Sequence, residues 1–478
     1  MYYLIGEHLG HSFSAEIHRN FGRYDYELRE LAPTELGPFL EARDFAGLNV
    51  TSPYKEAVIP YLDRLDEEAA AIGAVNTVVN RDGLLWGYNT DFGGMKASLE
   101  RLCRPGAGPD SPCGSEACQA VHCTPVRTPA RQSVLFGKTV LILGTGGTSK
   151  TAQAVCKALG AAQIYRVSRT GREGALTYPE LLQGSVCPAL LINCTPVGTW
   201  PDPDGLPLDL KTLQRCHSER PNGLALLRSE ESASPVLPPS LRGQCAHWPW
   251  QSASPVPAVF DCVYNPLRTR LILEARAQGL PAMGGLYMLV KQAALACARF
   301  TGVPVEDEQV DSICDSLRRD RENLVLIGMS GAGKTTVARI LAQKTGRVFV
   351  DSDEEIAKRA GKSIPAIFAE DGEAAFRELE AAIIREAALR SGCVLATGGG
   401  TVLREENLRR LRQTGRLILL DRPPEALEPS PDRPLGDTPE KVAALYAERY
   451  QIYLRAADRR VPVNGTPEDA AEAVLAAL

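Results

Sequence analysis

The chain has 478 residues, 44% of them hydrophobic and 23% charged, with a formal net charge of −5. That length is too great for one ordinary hydrophobic core and predicts two or three domains, hence more than one active site. The slightly acidic balance excludes a polyanion such as nucleic acid as the default partner, and no apolar run approaches the roughly eighteen residues that a membrane span needs.

In chain order, the opening Met-Tyr-Tyr-Leu-Ile-Gly lacks a basic flank followed by a long apolar stretch, so a cytoplasmic protein is expected. Strand-like runs at Tyr2 to Ile5, Ala46 to Val50 and Ala74 to Val79 alternate with helix-like ones and predict an α/β layer of its own. Residues 103–133 are rich in Pro, Ser, Gly and Arg and read as an insertion with little order. Cys103, Cys113, Cys118 and Cys123 fall there beside His122, in spacings unlike the C-x(2–4)-C pairs of zinc sites, which favours a cysteine-bearing loop over a metal site. The thirteen cysteines are odd in number and scattered, the pattern of reduced thiols.

Thr139 to Leu143 reads as a strand, followed by a glycine-rich turn, helical spacing over Ala152 to Leu159 and a strand ending near Val167. Together they predict a β-α-β unit. A second Pro/Ser-rich insertion spans about 212–256. Apolar residues recur at helical spacing from Met283 to Phe300, and Val305 to Glu322 reads as a solvated helix or connector where the main boundary falls. Beyond it come strand Leu324 to Ile327, a helix after Gly333, strands Arg347 to Val350, Cys393 to Ala396 and Leu417 to Leu420, and a last helix from Pro467: a parallel α/β domain.

Gly328-Met-Ser-Gly331-Ala332-Gly333-Lys334-Thr335 satisfies G-x-x-x-x-G-K-[ST] between a strand and a helix. Its backbone N–H groups, running on to Thr336, suit the phosphates of ATP, Lys334 suits their outer charge, and the Thr335 hydroxyl suits Mg²⁺. The next strand ends in Asp351-Ser-Asp353 at the edge where ligand sites form. One of these acids would organise the Mg²⁺ shell and the other accept a hydrogen bond from the attacking hydroxyl; alternatively the pair is a helix N-cap. Phe376-Arg377-Glu378, Gly398-Gly399-Gly400, Arg433-Pro434, Arg449 and Tyr453 add arginines suited to a carboxylate-bearing acceptor.

Gly144-Thr145-Gly146-Gly147-Thr148-Ser149 fits a dinucleotide turn, with Ser149 where the general fingerprint has Gly or Ala. Ser168-Arg169-Thr170-Gly171-Arg172 after the next strand holds no acid for a ribose 2′-hydroxyl. Its two arginines either meet a 2′-phosphate, favouring NADP over NAD, or are surface charges. Lys55, just beyond a strand end, is either a surface lysine or, with Asp91, a proton-shuttling pair for alcohol oxidation and carbonyl reduction.

From about 323 to 478 the order and spacing of Asp351-Ser-Asp353, Phe376-Arg377, Gly398 to Gly400 and Arg449-Tyr-Gln-Ile-Tyr453 resemble shikimate kinase. The resemblance implies that Asp353, Arg377, Gly399 and Arg449 hold shikimate, that Thr335 binds Mg²⁺ and that Arg433 reaches ATP from a lid, here proline-rich and short. Over about 1–300, His11-Ser12-Phe-Ser14, Asn49 to Lys55, Gly73 to Thr77, Asn89-Thr90-Asp91, Asn193-Cys-Thr195-Pro196, Asp261 to Pro266 and Met288 to Gln292 resemble shikimate dehydrogenase. It implies Ser12, Ser14, Thr51, Asn76, Tyr264 and Gln292 at the substrate, and Lys55 and Asp91 as the catalytic pair. Gly144 to Thr148, Ser168 to Thr170, Arg172, Gly285 and Met288 would lie at NADP(H).

The expected architecture is α/β throughout. A bilobal dehydrogenase, with an N-terminal α/β substrate domain (1–102, with part of 270–300) and a Rossmann NADP domain (134–300), is followed by a linker (301–322) and a P-loop kinase domain (323–478). The expected reactions are consecutive: NADPH-dependent reduction of 3-dehydroshikimate, then phosphorylation of shikimate by ATP. The competing class is a non-catalytic sensor of shikimate or quinate, which would show eroded catalytic residues; Lys55, Asp91, Lys334, Thr335 and Asp353 all stand. The choice between monomer and homodimer is left open.

Overall fold

The computed structural model describes residues 1–10, 12–103, 133–183, 186–211, 258–427 and 438–478. Nearly all of both expected insertions, including Cys113, Cys118, His122 and Cys123, therefore lies outside the described residues, as does Arg433. By contacts the chain divides into two units. One comprises Met1–Val197, Leu206–Tyr264 and Glu274–Cys314; the other comprises Gly198–Gly205, Asn265–Leu273 and Asp315–Leu478.

The first unit contains two sheets. In the first, β1 (Tyr2–Gly6), β2 (Tyr26–Glu30), β3 (Gly47–Val50), β4 (Arg64–Leu65), β5 (Thr77–Arg81) and β6 (Leu84–Tyr88) are ordered β2-β1-β3-β5-β6-β4. Its β1–β2, β1–β3 and β4–β6 pairs are parallel, whereas β3–β5 and β5–β6 are antiparallel. Central β3 is buried along its whole length, while edge strand β2 buries only Tyr26 and turns Glu27, Leu28, Arg29 and Glu30 to solvent. Charges along an edge discourage pairing with another chain.

The second sheet, β7 (Thr139–Leu143), β8 (Gln163–Val167), β9 (Leu190–Asn193), β10 (Val259–Asp261) and β11 (Ala282–Met283), has order β11-β10-β9-β7-β8 and is parallel throughout. Apolar β7 and β9 are what a parallel sheet covered on both faces requires, and around them pack Val140, Ile142, Val155, Ile192 and Phe260. The chain leaves β7 toward β8 on one side and returns to β9 on the other, so the crevice of a doubly wound sheet opens at the β7 and β9 ends.

The second unit holds the third sheet: β12 (Asn323–Ile327), β13 (Val348–Asp351), β14 (Cys393–Ala396), β15 (Gly415–Asp421) and β16 (Arg459–Pro462), ordered β13-β14-β12-β15-β16, again all parallel. The last helix, Pro467–Ala476, starts in a reciprocal box: Thr466 Oγ1 accepts from the Asp469 N–H (3.1 Å), and Asp469 Oδ2 accepts from the Thr466 N–H (2.9 Å).

The structure shifts several expected boundaries. Met283 is not helical, because it pairs with Phe260 in the ladder; after Gly284 the helix is Leu286–Thr301. The helix expected over Ala152 to Leu159 begins at Gly147, since the glycine turn is itself its first turn. The strand expected from Ala74 begins at Thr77, because Gly73 caps the preceding helix and residues 74–76 are the passage into the sheet. Val305 to Glu322 holds a helix, Asp307–Arg321, with Val310, Ile313, Cys314 and Leu317 buried at helical spacing, so only part of it is solvated.

Phe260 is fully buried in the second sheet's core. Phe260→Ala should destabilise the first unit by about 3–5 kcal/mol, measured as an earlier denaturant midpoint for that unit's unfolding transition.

Candidate active sites

In the first unit a cavity of about 280 Å³ is lined by Ser12, Ser14, Thr51, Lys55, Asn76 and Asp91 together with Thr148, Tyr264, Gly285, Met288 and Gln292. Residues expected at one substrate thus come from chain positions more than two hundred apart, gathered by the ends of β1, β3 and β10 and by the start of Leu286–Thr301. Leu4, His8, Leu9, Asn49, Val50, Cys262 and Leu289 complete the wall; none of these was singled out as a site residue.

Lys55 Nζ lies 2.6 Å from Asp91 Oδ2, the two side chains being 18% and 9% exposed. Asp91 stands in the first turn of Thr90–Leu102, whose N-cap Asn89 accepts from the Phe92 N–H at 3.1 Å. That end of a helix favours a carboxylate, and the carboxylate fixes the ammonium at the cavity.

Asn76 is the centre of the polar wall. Its Oδ1 accepts from the Thr90 N–H at 2.7 Å, and its Nδ2 donates to Gln292 Oε1 at 3.3 Å. Gln292 Nε2 donates to the Leu289 carbonyl at 2.9 Å, which leaves both amides oriented by backbone. Asn49 is held from behind: it accepts from the Tyr26 hydroxyl (2.8 Å) and donates to Thr77 Oγ1 (3.1 Å). Its position in the strand that leads into Thr51 and Lys55 carries the signal. Ser12 Oγ donates to Ser14 Oγ at 3.1 Å. Tyr264 packs edge-on against Phe13, and burial pushes its phenol up, against the pull of a hydrogen bond with Ser12.

The dinucleotide turn follows β7. Gly144 has φ +110, and a Cβ there would press on the Cys194 backbone at 3.3 Å, so only glycine lets the two strand ends approach. Gly146 caps Gly147–Ala158. Ser149, the departure from the fingerprint, is fully buried and donates to the Gly144 carbonyl at 2.7 Å, tying helix to turn where the motif otherwise relies on small size. Of the turn, Thr148 reaches the cavity wall; Gly144, Thr145, Gly146 and Gly147 do not line it. After β8, Arg169, Thr170 and Arg172 are exposed, and Ser168 Oγ is buried with no partner among the described residues. An orphaned hydroxyl beside exposed guanidiniums fits a phosphate-bearing ligand.

In the second unit Gly328, Gly331 and Gly333 have φ of 138, 87 and 88, and a Cβ at Gly328 would meet the Leu420 carbonyl at 2.8 Å. The loop is therefore wound as only glycines permit, with Ala332 buried and Thr336 exposed at the start of Lys334–Thr345. Lys334 is buried, its Nζ donating to the Gly328 (2.9 Å) and Met329 (2.8 Å) carbonyls.

Of the two readings of Asp351-Ser-Asp353, the structure shows the N-cap, and it falls on one acid alone. Asp351 is the N-cap of Ser352–Ala360, accepting from the N–H groups of Asp353 (2.9 Å) and Glu354 (3.3 Å), while its other oxygen accepts from Thr335 Oγ1 at 2.7 Å. Asp353 is half-buried, and its Oδ1 is buried with no partner among the described residues. Burial first, then Asp351 beside it, pushes this carboxyl up to about 6, against the opposing pull of Lys334.

Around Asp353, Arg377 donates to Glu380 (3.1 Å) and Glu373 (3.1 Å), and Glu380, 1% exposed, accepts from Thr401 Oγ1 at 2.8 Å. A side chain at Gly398 would stand 2.7 Å from Asp353 Oδ1, and one at Gly400 would overlap the Arg377 guanidinium. The Gly399 carbonyl accepts from the Tyr453 hydroxyl, and Arg449, one turn away, is buried with its Nε unpartnered among the described residues. Glu380 was absent from the expected set; its spacing of three from Arg377 on one helix carried the signal. No cluster of three or more His, Cys, Asp or Glu side chains able to hold a metal occurs among the described residues.

A shikimate dehydrogenase substrate-binding domain model matches residues 4–78, and a shikimate kinase model matches 330–478. The shikimate dehydrogenase (NADP(+)) of Halothermothrix orenii is 32% identical over 330 residues, covering 63% of this chain and 91% of its own. The shikimate kinase of Thiobacillus denitrificans is 48% identical over 145 residues, covering 29% of this chain and 79% of its own. The chain belongs to the shikimate dehydrogenase and shikimate kinase families. Its dehydrogenase part is also similar to a solved shikimate dehydrogenase of Peptoclostridium difficile, 24% identical, at a TM-score of 0.49 over 66% of this chain and 97% of that one. As a member of both families it is an α/β enzyme that joins a Rossmann dehydrogenase to a P-loop kinase, and no helix among its described residues is long and apolar enough to cross a membrane.

In a carbon-13 NMR titration of the full chain, the Asp353 carboxyl should titrate at about 6. Removing the cation in Lys334→Met should move that midpoint further up, whereas a midpoint in the ordinary aspartate range near 4 would contradict the buried setting.

Proposed function

We propose that the chain catalyses two consecutive reactions, reduction of 3-dehydroshikimate to shikimate by NADPH and phosphorylation of shikimate to shikimate 3-phosphate by ATP with Mg²⁺. The observation that carries this is the coexistence, in one chain of both families, of an ion-paired lysine at a polar cavity and an aspartate beside a phosphate loop whose buried Oδ1 has no partner among the described residues. A sensor of the same ligands would need neither. Family matches at 4–78 and 330–478 support a substrate domain at 1–102 with part of 270–300 and a kinase domain at 323–478; the parallel sheet β7 to β11 supports an NADP domain at 134–300, with 301–322 as the linker between.

For the first reaction NADPH, when bound, supplies the hydride. Gly144 to Thr148, Ser168 to Thr170, Arg172, Gly285 and Met288 would hold it, the exposed arginines fitting a 2′-phosphate. Ser12, Ser14, Thr51, Asn76, Tyr264 and Gln292 would orient the ring through its hydroxyls and carboxylate. Lys55 then delivers the proton to the carbonyl oxygen, and Asp91, 2.6 Å from the ammonium, keeps it aimed.

For the second reaction Asp353, Arg377, Gly399 and Arg449 would hold shikimate, and Asp353 would accept the hydrogen bond of the attacking hydroxyl. Gly331 to Thr336 and Arg433 would bind ATP, with Lys334 leaving the loop carbonyls for the outer phosphates. Thr335 and Asp351 present two hard oxygen donors 2.7 Å apart, a fit to the water shell of Mg²⁺, which supplies charge neutralisation at the phosphates.

The two activities separate by mutation. Lys55→Ala and Asp91→Asn should each lower the dehydrogenase kcat by about 10²–10⁴-fold and leave phosphorylation of added shikimate intact. Lys334→Ala should do the reverse; loss of both activities in either variant contradicts the assignment. With the Asp353 carboxyl at about 6, the carboxylate is lost as pH falls through that value, so kinase kcat/KM should drop about tenfold per pH unit below it. In Asp353→Asn the residual rate should lack this inflection.

A further inference from the structure

Cys194 and Cys262 follow directly on β9 and β10, and the structure pairs them. The last register pair of that parallel ladder is Asn193 with Asp261, and the Cys262 N–H continues it by donating to the Asn193 carbonyl at 3.0 Å. Neighbouring strands run about 5 Å apart, within the Cα separation that a disulfide spans. The Sγ atoms lie 3.8 Å apart, hydrogen-bonded, and both are free thiols of partial exposure.

The turns bearing these thiols are fixed. Asn193 Nδ2 donates to Asp261 Oδ1 at 2.9 Å between two fully buried side chains. Each side chain also accepts the N–H two residues on, Thr195 to Asn193 (3.0 Å) and Val263 to Asp261 (3.0 Å). The strand ends therefore hold the two sulfurs face to face. Cys262 also lines the cavity that holds Lys55 and Asp91, which gives a small polar solute a route to the pair.

We propose that Cys194 and Cys262 form a peroxide-sensitive dithiol in the wall of the first site, and that its oxidation to a disulfide reshapes that site. The oxidant is a hydroperoxide, hydrogen peroxide in the simplest case. The Cys194 thiolate attacks one peroxide oxygen, the O–O bond breaks, the departing hydroxide takes up a proton as water, and a sulfenic acid remains. The Cys262 sulfur attacks the Cys194 sulfur, the S–O bond breaks, and a second water leaves with the thiol proton. Two thiols and one peroxide thus become one disulfide and two waters, and an added dithiol reverses the step by exchange.

The order of attack follows from the environment. The hydrogen bond with Cys194, then burial, holds the Cys262 thiol well above its usual range, so Cys262 keeps its proton and resolves rather than attacks. Closing the sulfurs from 3.8 Å to bonding distance draws in the Cys262 backbone. The Val263 carbonyl accepts from the Gly285 N–H at 3.0 Å, and Tyr264 follows, so the far wall of the cavity moves with it. The consequence for turnover rests on the dehydrogenase reading above; the disulfide itself does not.

The full chain would be treated with hydrogen peroxide, digested without reduction and mapped by mass spectrometry, with both activities measured before and after. The expected result is a peptide linking Cys194 to Cys262, loss of dehydrogenase activity by about tenfold or more, unchanged kinase activity, and recovery with dithiothreitol. Cys194→Ser and Cys262→Ser, each compared with its own unoxidised form, should lose that sensitivity, whereas Cys156→Ser should keep it. A linked peptide joining other cysteines, no linked peptide at all, or a Cys194–Cys262 disulfide with full dehydrogenase activity overturns the proposal. A linked peptide in a chain that never oxidises NADPH would instead sink the dehydrogenase reading and leave the dithiol standing.

Discussion

A parallel sheet brings the carboxyl end of every strand to one edge, and nearly everything functional in this chain stands at such an edge. The following helices point their N-termini there, where unpaired N–H groups and the helix dipole suit anions. In the second sheet this sets the glycine turn after β7, the Ser168 to Arg172 stretch after β8, and Cys194 and Cys262 after β9 and β10 along one crevice. In the third it sets the phosphate loop after β12, Asp351 and Asp353 at the end of β13, and the glycine run after β14. Separation along the chain is irrelevant at an edge, which is how Asn193 meets Asp261.

The two units use buried carboxylates in opposite ways. Asp91 is ion-paired with Lys55 and stands in the first turn of its helix, an arrangement that suits a fixed, oriented proton donor. Asp353 has an acid on each flank, Asp351 and Glu380, and no committed partner for Oδ1 among the described residues. Nothing quenches its basicity except the cations opposite it. An ion pair is the setting for delivering a proton, and an unsatisfied carboxylate is the setting for receiving a hydrogen bond.

Much of this was legible in the sequence because the informative residues sit in short strings beside apolar runs. The phosphate loop, the Asp351-Ser-Asp353 string and the Lys55 and Asp91 strings fall at strand ends that hydrophobic patterning locates unaided. Legibility stopped where tertiary pairing decides. Met283 carries the same apolar character as the helix after it, and only its partner Phe260 makes it a strand. Asn49 and Cys262 look like interior strand residues; that they line the cavity depends on which way the ends of β3 and β10 turn. Which of the two acids caps the helix was undecidable locally, and so was the contact of Asp351 with Thr335, which belongs to another strand's loop.

The account stands or falls on one chain performing both steps. Purified protein incubated with 3-dehydroshikimate, NADPH and Mg-ATP, with products followed by mass spectrometry, should accumulate shikimate 3-phosphate, with NADPH and ATP consumed in equal amounts. Shikimate without its phosphate would contradict the kinase assignment, and unchanged 3-dehydroshikimate would contradict the dehydrogenase assignment.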